Sequence, residues 1–372
     1  MDALRDHPQV LYGAVAALVI VILLTPAVGG MARLLGVVDR PEARRLNRNP
    51  VPRLGGLAIF FGIFVPALAF LQLGRETRGV LVGAAVATVV GAVDDFRVLK
   101  PGRKLAGQIL AASIPTFFGV WIDHFTFPLL GVVDLPNAVG IAVTIVWIVA
   151  VMNMVNFLDG VDGLAAGVCG IAALTFAILA LSLGKVDPAI LSAIVAGACV
   201  GFLRHNFFPA RIFMGDSGAL GLGFLLAALS VQGLFKTAST VVLLLPLLVL
   251  AVPILDTSFV VARRLKHGQQ VSLADQSHLH FRFLRRGFSQ RRAAVTLWAW
   301  CATLAGAALA TRFLPFRAHG VWHPWETVAV AAIALTALAF SVYVVYVLEI
   351  VKLSNPRRFW RRTGAVHERR SA

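Results

Sequence analysis

The sequence predicts an all-α polytopic integral membrane protein with about 11 transmembrane helices. Of its 372 residues, 58% are hydrophobic and only 14% are charged, whereas a soluble domain typically carries about a quarter charged residues. The apolar residues recur in blocks of roughly 17–25, the length that a helix needs to cross about 30 Å of hydrocarbon. Continuous apolar runs such as 241–250 lack the alternation of a membrane β-barrel strand, so the blocks are predicted to be helices.

The predicted helices begin and end where hydropathy changes, and most connections between them are short. They span residues 10–35, 54–73, 78–94, 105–122, 137–157, 161–183, 188–204, 218–235, 239–262, 293–312 and 326–350. A longer extramembrane connection is predicted over 123–136. Residues 1–350 are interpreted as one transmembrane domain, and 351–372 as a basic tail. The three cysteines each lie inside an apolar block and are expected to be small buried residues.

The basic residues predict which side of the membrane each loop occupies. With the N-terminus placed outside, all but seven of the 34 Lys and Arg residues fall in inner loops and the tail, as the positive-inside rule requires. The C-terminus is then cytoplasmic. A net charge of +16 would suggest nucleic acid in a soluble protein. Here the charge lies in short loops between apolar blocks, so the bilayer is the expected partner and nucleic acid is not.

The unusual polar residues collect on the same inner side. They are Asp94, Asp95, Asn153, Asn156, Asp159, Asp162, Asp216, His278 and His280. Ionisable groups at membrane depth are costly, so their clustering on one side indicates a functional site. The sequence therefore predicts a site that faces the cytoplasm.

Two segments carry carboxylates that could bind a cation. Asp94 and Asp95 are adjacent at a helix end, where they either share a cation or form a solvated helix end. In residues 153–164, Asn or Asp recurs at every third position, so neighbouring members share a helix face. Hard oxygen donors of this kind suit Mg²⁺ and phosphate. The alternative for this second segment is a hydrogen-bonded seam between helices.

A third segment, residues 206–218, begins with Asn206 and ends with Phe-Met-Gly-Asp-Ser-Gly at the start of an apolar helix. Gly-Asp-Ser-Gly also surrounds the nucleophile of trypsin-like proteases, but those are soluble β-barrels. Asp216 and Ser217 at a helix start could alternatively be simple N-caps.

The fourth segment is the basic loop 263–292. It carries Arg263, Arg264, His278 and His280. Arginine matches phosphate oxygens and histidine titrates near neutrality, so the loop could hold phosphate. A patch that binds lipid headgroups is the alternative.

In this order and at these intervals, the four segments resemble the polyprenyl-phosphate N-acetylhexosamine-1-phosphate transferase family over roughly residues 35–290. Asp94 to Lys104 is similar to the family's Asp-Asp-x-x-x-Leu-x-x-x-x-Lys, and 153–164 to its Asn-x-x-Asn-x-x-Asp-Gly-x-Asp-Gly-Leu. The resemblance implies transfer of a sugar 1-phosphate from a UDP-sugar to a polyprenyl phosphate of the cell membrane, with release of UMP. It also implies a Mg²⁺ cofactor, with Mn²⁺ as an alternative ion, and leaves a homodimer open.

The resemblance further implies roles for individual residues. Asp216 would be the metal ligand, and the catalytic residues would be Asp94, Asp95, Asp159, Asp162, His278 and His280. The substrates would be bound by Lys104, Asn153, Asn156, Asn206, Phe213, Arg263 and Arg264. A lipid phosphate is already ionised at neutral pH, so neither Asp94 nor Asp95 is expected to act as a strict general base.

Three positions depart from the family. Phe281 follows His280 where a further histidine is common, and Asn47 and Gln276 replace residues that are common in the GlcNAc branch. The number of predicted helices and the long basic loop nevertheless favour that branch over the phospho-MurNAc-pentapeptide branch.

Three other classes of protein share some of these features. A transporter would place its charges near the bilayer midplane, and a scaffold without activity is a further alternative. A CDP-alcohol phosphotransferase is excluded, because Asp159-Gly160 lacks the Ala-Arg that its signature places after Asp-Gly.

Overall fold

Helices dominate the computed structural model, which describes residues 2–39, 50–127, 131–235, 246–266, 278–314, 317–318 and 321–347. In this part of the chain the helices are α1 (Asp2–Asp6), α2 (Gln9–Leu34), α3 (Gly55–Phe70), α4 (Arg75–Phe96), α5 (Pro101–Phe117), α6 (Asn137–Leu158), α7 (Leu164–Ser182), α8 (Val186–Asn206), α9 (Gly215–Ser230), α10 (Ala251–Lys266), α11 (Leu279–Arg285), α12 (Gln290–Phe313) and α13 (Pro324–Val347). A single π-helical turn, Val231–Phe235, extends α9.

Seven of the described helices are long and apolar enough to cross a membrane: α2, α4, α6, α7, α8, α12 and α13. Helix α3 and the segment Ala251–Val261 of α10 are apolar but shorter. The chain is therefore a helical multi-pass membrane protein. The total of about 11 spans and the orientation of the termini stay predictions, and part of the predicted helix 239–262 lies outside the described residues.

In the described ranges, three small antiparallel sheets join segments between helices. β1 (Val38–Asp39) pairs with β2 (Val51–Pro52), β3 (His124–Phe127) with β4 (Gly131–Asp134), and β5 (Arg317–Ala318) with β6 (Val321–Trp322). The β3–β4 hairpin falls in the predicted extramembrane connection 123–136. Such pairing supplies hydrogen bonds to backbone groups that leave the helices. Hydropathy did not predict these sheets, because it reports apolar blocks and not the pairing of short connections.

Helix α9 forms the centre of the bundle. Every residue from Ser217 to Ser230 is buried, and α3, α4, α6 and α7 pack around it. Glycine permits the closest approaches, since a Cβ at Gly91 of α4 would overlap the backbone of Asp216 and one at Gly56 of α3 that of Gly218. The N-terminal end of α9 is thereby fixed between two neighbouring helices.

The cysteines lie in the interior, as the sequence predicts. Cys169 of α7, Cys199 of α8 and Cys301 of α12 are all buried and free. They contribute to apolar packing, and none lines the polar cavity described below.

Candidate active site

A cavity of about 310 Å³ opens at one end of the bundle, where the connections that follow α2, α6 and α8 meet. Its lining residues are Asp39, Arg53, Asn156, Asp159, Gly160, Val161, Asp162, Asn206, Phe213, Gly215, Asp216, Phe281 and Gln290. These residues come from the second, third and fourth sequence segments and from the connection between α2 and α3. Residues as distant in the sequence as Asp39 and Gln290 thus share one polar cavity.

Lys104 joins the first segment to the third beside this cavity. Its Nζ lies 2.9 Å from Oδ2 of Asp94 and forms an ion pair with Oδ2 of Asp216. The second oxygen of Asp216, Oδ1, accepts a hydrogen bond of 2.8 Å from Nδ2 of Asn156. Asp216 is therefore bound by a lysine of α5 and an asparagine of α6, so its side chain is not a simple cap of its own helix.

The two adjacent carboxylates of the first segment have different surroundings. Asp95 has a fully buried side chain, whose oxygens accept hydrogen bonds from the backbone N–H groups of Asp216, at 2.8 Å, and Ser217, at 2.9 Å. Asp95 thus caps the N-terminus of α9 from a neighbouring helix, where the helix dipole favours a negative charge. Asp94 instead accepts from the N–H of Leu99 at 2.6 Å and faces Lys104.

The turn between α6 and α7 is tied to the connection between α8 and α9. Oδ2 of Asp162 accepts from the N–H of Ala210 at 2.9 Å, and Oδ1 of Asn206 accepts from the N–H of Gly163 at 3.0 Å. Nδ2 of Asn206 donates to the carbonyl of Ile212 at 2.9 Å. These bonds connect the side chains of Asp162 and Asn206 to the backbone of the two connections and fix the wall of the cavity.

Asp159 lies in this turn and lines the cavity. Burial raises the pKa of its carboxyl well above the usual range, and the negative charges of Asp216 and Asp95 raise it further. Burial also raises the pKa of Asp162. A cation bound beside Asp159 would act in the opposite direction and favour the carboxylate.

Asn153 lies away from the lining of the cavity. Its Nδ2 donates to Oε1 of Gln108 at 2.9 Å, and Nε2 of Gln108 donates back to Oδ1 of Asn153 at 3.2 Å. For this member of the second segment, the hydrogen-bonded seam between helices is the arrangement observed. The other three predicted members, Asn156, Asp159 and Asp162, line the cavity.

His278 and His280 lie behind the turn that contains Gly160. Nδ1 of His278 is 3.0 Å from Oδ2 of Asp256, whose Oδ1 accepts from the N–H of Leu279 at 2.8 Å. A carboxylate only accepts, so Nδ1 of His278 carries the proton. The ring of His280 stacks on that of His278 with centroids 5.8 Å apart, and a Cβ at Gly160 would lie 2.5 Å from its Nε2. Burial lowers the pKa of His280 to about 4.

Several of these residues were not singled out from the sequence. Asp256 had a visible signal, since it is a lone carboxylate within an apolar helix, and it is almost completely buried. Arg53, Asp39 and Gln290 line the cavity with no motif to mark them. Phe281, noted as a departure from the family, lines it as well.

The remaining predicted residues lie away from the cavity or beyond the description. Arg264 is buried in α10 and is absent from the cavity lining. The side chain of Arg263, together with Asn47 and Gln276, lies outside the described residues.

The oxygen donors around the cavity can be matched to the needs of a magnesium ion. In the described ranges, no group of three or more His, Cys, Asp or Glu side chains converges closely enough to hold a metal. Mg²⁺ does not need such a group, because it is usually bound through one or two carboxylates together with water and substrate phosphates. Asp216, with Asp94 and Asp159 nearby, offers hard oxygen donors of that kind, so the residues present fit Mg²⁺ bound together with a substrate.

Comparison with known proteins gives a consistent set of relatives. The family model of glycosyl transferase family 4 matches residues 77–234. A Bacillus subtilis (strain 168) protein named probable undecaprenyl-phosphate N-acetylglucosaminyl 1-phosphate transferase is 37% identical over 292 residues, which cover 78% of this chain and 81% of the relative. The decaprenyl-phosphate N-acetylglucosaminephosphotransferase of Mycobacterium tuberculosis (strain ATCC 25618 / H37Rv) is 38% identical over 82% of this chain and 83% of its own. A phospho-N-acetylmuramoyl-pentapeptide-transferase of Desulforudis audaxviator (strain MP104C) is 33% identical over 81% of this chain and 97% of its own.

Proposed function

The chain belongs to glycosyl transferase family 4, and from this membership we propose that it transfers N-acetylglucosamine 1-phosphate from UDP-GlcNAc to a membrane polyprenyl phosphate and releases UMP. The observation that carries the proposal is the meeting of Asp94, Lys104, Asn156 and Asp216 beside one polar cavity. These residues come from the first three segments on which the resemblance to phosphotransferases rests. The reaction would be the first lipid-linked step of a cell-envelope polysaccharide.

The chemistry needs positioning and charge compensation more than proton transfer. A lipid phosphate and a diphosphate must approach each other, and both are anions. Mg²⁺ bound with the substrates would neutralise part of this charge, and Asp216, with Asp94 and Asp159, would hold it. Lys104 contributes a second positive charge from beside the same carboxylates. Asp95 holds the N-terminus of α9, and so sets the position of Asp216.

The choice of N-acetylglucosamine as the sugar is supported by the names of the more similar relatives. Those named for N-acetylglucosamine phosphate transfer are 37% and 38% identical, compared with 33% for the relative named for phospho-N-acetylmuramoyl-pentapeptide transfer. Transfer of phospho-MurNAc-pentapeptide is therefore the second candidate. The polar cavity lies at one end of the bundle and not at its middle, which favours an enzyme over a transporter. A cytosolic UDP-sugar would meet this end at the cytoplasmic face.

The test follows a phosphorus atom. UDP-GlcNAc labelled with ³²P in its β-phosphate is incubated with the purified protein, undecaprenyl phosphate and Mg²⁺. The label should move into the lipid extract, because the transferred group keeps the β-phosphate. Label that stays in the aqueous phase as UDP, with sugar in the lipid, would indicate glycosyl transfer and contradict the proposal.

A matched pair of variants tests the metal ligand. Asp216→Asn should abolish formation of the labelled lipid. Without added metal, the variant should unfold near the wild-type temperature. Addition of Mg²⁺ or Mn²⁺ should raise the unfolding temperature of the wild type but not that of the variant. Asp6→Asn is the same change at an exposed position of α1. It should change neither the formation of labelled lipid nor the effect of metal on the unfolding temperature. Full transfer by Asp216→Asn would refute the assignment.

A further inference from the structure

Arg53 is the one lysine or arginine among the described residues that line the cavity. Four carboxylates line the same cavity, those of Asp39, Asp159, Asp162 and Asp216. Among these described lining groups a phosphate meets mostly negative charge, so the position of Arg53 bears on where it can bind.

The backbone fixes Arg53 against the start of α9. The preceding residue, Pro52, accepts a hydrogen bond of 2.8 Å from the N–H of Phe213 through its carbonyl. Gly215 has φ +70°, and a Cβ at that position would overlap the carbonyl oxygen of Arg53. Arg53 therefore lies directly beside the first turn that carries Asp216.

The guanidinium of Arg53 has donors that the surrounding protein does not use. Its terminal nitrogens lie 3.8 Å from Oδ1 of Asp39 and 3.9 Å from Oδ1 of Asp95, which is too far for hydrogen bonds. No hydrogen bond joins it to any group in the ranges that the structure describes. Asp95 does not require it, because its two oxygens accept from the backbone of α9. The side chain is 34% exposed, so its donors can be reached from the cavity.

On the basis of the proposed function, we infer that Arg53 binds a phosphate group of a substrate through its guanidinium. A planar guanidinium can donate two parallel hydrogen bonds to two phosphate oxygens, which a lysine ammonium cannot do. Asp39 and Asp95 orient the guanidinium by charge without consuming its donors. The diphosphate of the sugar nucleotide and the phosphate of the lipid present the same oxygens, and the experiment separates them.

The experiment compares the binding of UDP with that of uridine, which lacks the phosphates. Both are titrated calorimetrically into the wild type, Arg53→Gln, Arg53→Lys and Arg33→Gln, whose parent arginine is exposed on the last turn of α2. Arg53→Gln should weaken UDP binding by about 10- to 100-fold, as expected for loss of a charge-assisted bidentate contact. Uridine binding should not change. Arg53→Lys should recover only part of the loss, and Arg33→Gln should bind like the wild type.

The KM for undecaprenyl phosphate is measured on the same variants. A raised KM with unchanged UDP binding would support the inference and assign Arg53 to the lipid phosphate instead of the nucleotide. Equal losses of UDP and uridine binding, or wild-type values for UDP binding and for the KM of undecaprenyl phosphate, would overturn the inference while leaving the proposed function intact. Wild-type protein that binds no UDP would overturn the proposed function and the inference together. If Arg53→Gln unfolds, Arg53→Lys, which keeps the charge, serves as the test variant. Its UDP binding should be weaker than that of the wild type, and wild-type UDP binding together with a wild-type KM for undecaprenyl phosphate would overturn the inference.

Discussion

Replacing Asp95 should lower the stability of the protein, because this side chain caps α9. The Asp95→Ala variant removes both acceptors that cap α9 and leaves the N–H groups of Asp216 and Ser217 without their partner. Ser217 is fully buried, so water cannot replace the lost bonds at that residue. A hydrogen bond to a charged group contributes about 1.5–3 kcal/mol, so the two together amount to about 3–6 kcal/mol. That is a large part of the 5–15 kcal/mol by which proteins are typically stable.

Asp94→Asn is the matched comparison, since it alters the neighbouring carboxylate. An asparagine there can still accept from the N–H of Leu99, and Lys104 keeps its ion pair with Asp216. The change in stability should stay within about 1 kcal/mol, although transfer activity should fall. Thermal unfolding in detergent, followed by intrinsic fluorescence, gives the comparison directly. If Asp95→Ala melted at the wild-type temperature while losing activity, the capping role would be refuted and a direct chemical role would replace it.

Three further predictions concern the histidines and the turn they support. Gly160→Ala should lower the rate of transfer without lowering the yield of folded protein, because its Cβ would lie 2.5 Å from Nε2 of His280. Gly102→Ala, where a Cβ meets open space, should transfer at the wild-type rate. Equal rates for the two variants would argue against close packing of Gly160 on His280. Asp256→Asn should lower the rate about 10-fold or more, because an amide has one acceptor oxygen for two donors, Nδ1 of His278 and the N–H of Leu279. A pH–rate profile identical to that of the wild type would argue against this role. His280 has a pKa of about 4 in the folded protein against 6.5 ordinarily, so its contribution to stability is complete above pH 6.5 and is lost, up to about 3 kcal/mol, as the pH falls towards 4. The unfolding temperature of His280→Leu should accordingly fall less than that of the wild type between pH 7 and pH 4, and parallel curves would contradict the buried neutral histidine.

The sequence predicts the apolar helices well because bilayer thickness sets their length and lipid requires them to bond internally. The predicted helix 137–157 is observed as Asn137–Leu158, and 293–312 as Gln290–Phe313. The ends are less predictable, since hydropathy falls before the backbone stops being helical. The predicted segment 78–94 continues through charged residues to span Arg75–Phe96. The predicted segment 105–122 begins earlier, at Pro101, a residue that favours the first helical turn.

The site was predictable where residues share one motif and unpredictable where contacts join distant parts of the chain. One motif holds Asn156, Asp159 and Asp162, and the structure places all three on the cavity. The expectation that they share a helix face was wrong, because α6 ends at Leu158 and the two carboxylates lie in the turn before α7. Asp94 and Asp95 could not be separated from the sequence. Successive residues point about 100° apart on a helix, so each meets a different neighbour, and only the packing of α4 on α9 shows which.

Arg53 and Asp256 illustrate contacts that lie beyond local patterns. Arg53 reaches the cavity through the pairing of its connection with residues 213–214, and Asp256 meets His278 from another helix. Neither position has a local spacing rule that reveals its partner, so tertiary structure was needed to find both.

The most direct test of the proposed function is to identify the nucleotide that the purified wild-type protein releases. It is incubated with undecaprenyl phosphate, Mg²⁺ and UDP-GlcNAc, and in parallel with UDP-MurNAc-pentapeptide in place of UDP-GlcNAc. UMP is expected from UDP-GlcNAc, and none from the second donor. UMP from the second donor alone would keep the reaction and change the sugar. UDP in place of UMP, or no nucleotide from either donor in a well-folded sample, would contradict the proposed transfer of a sugar 1-phosphate.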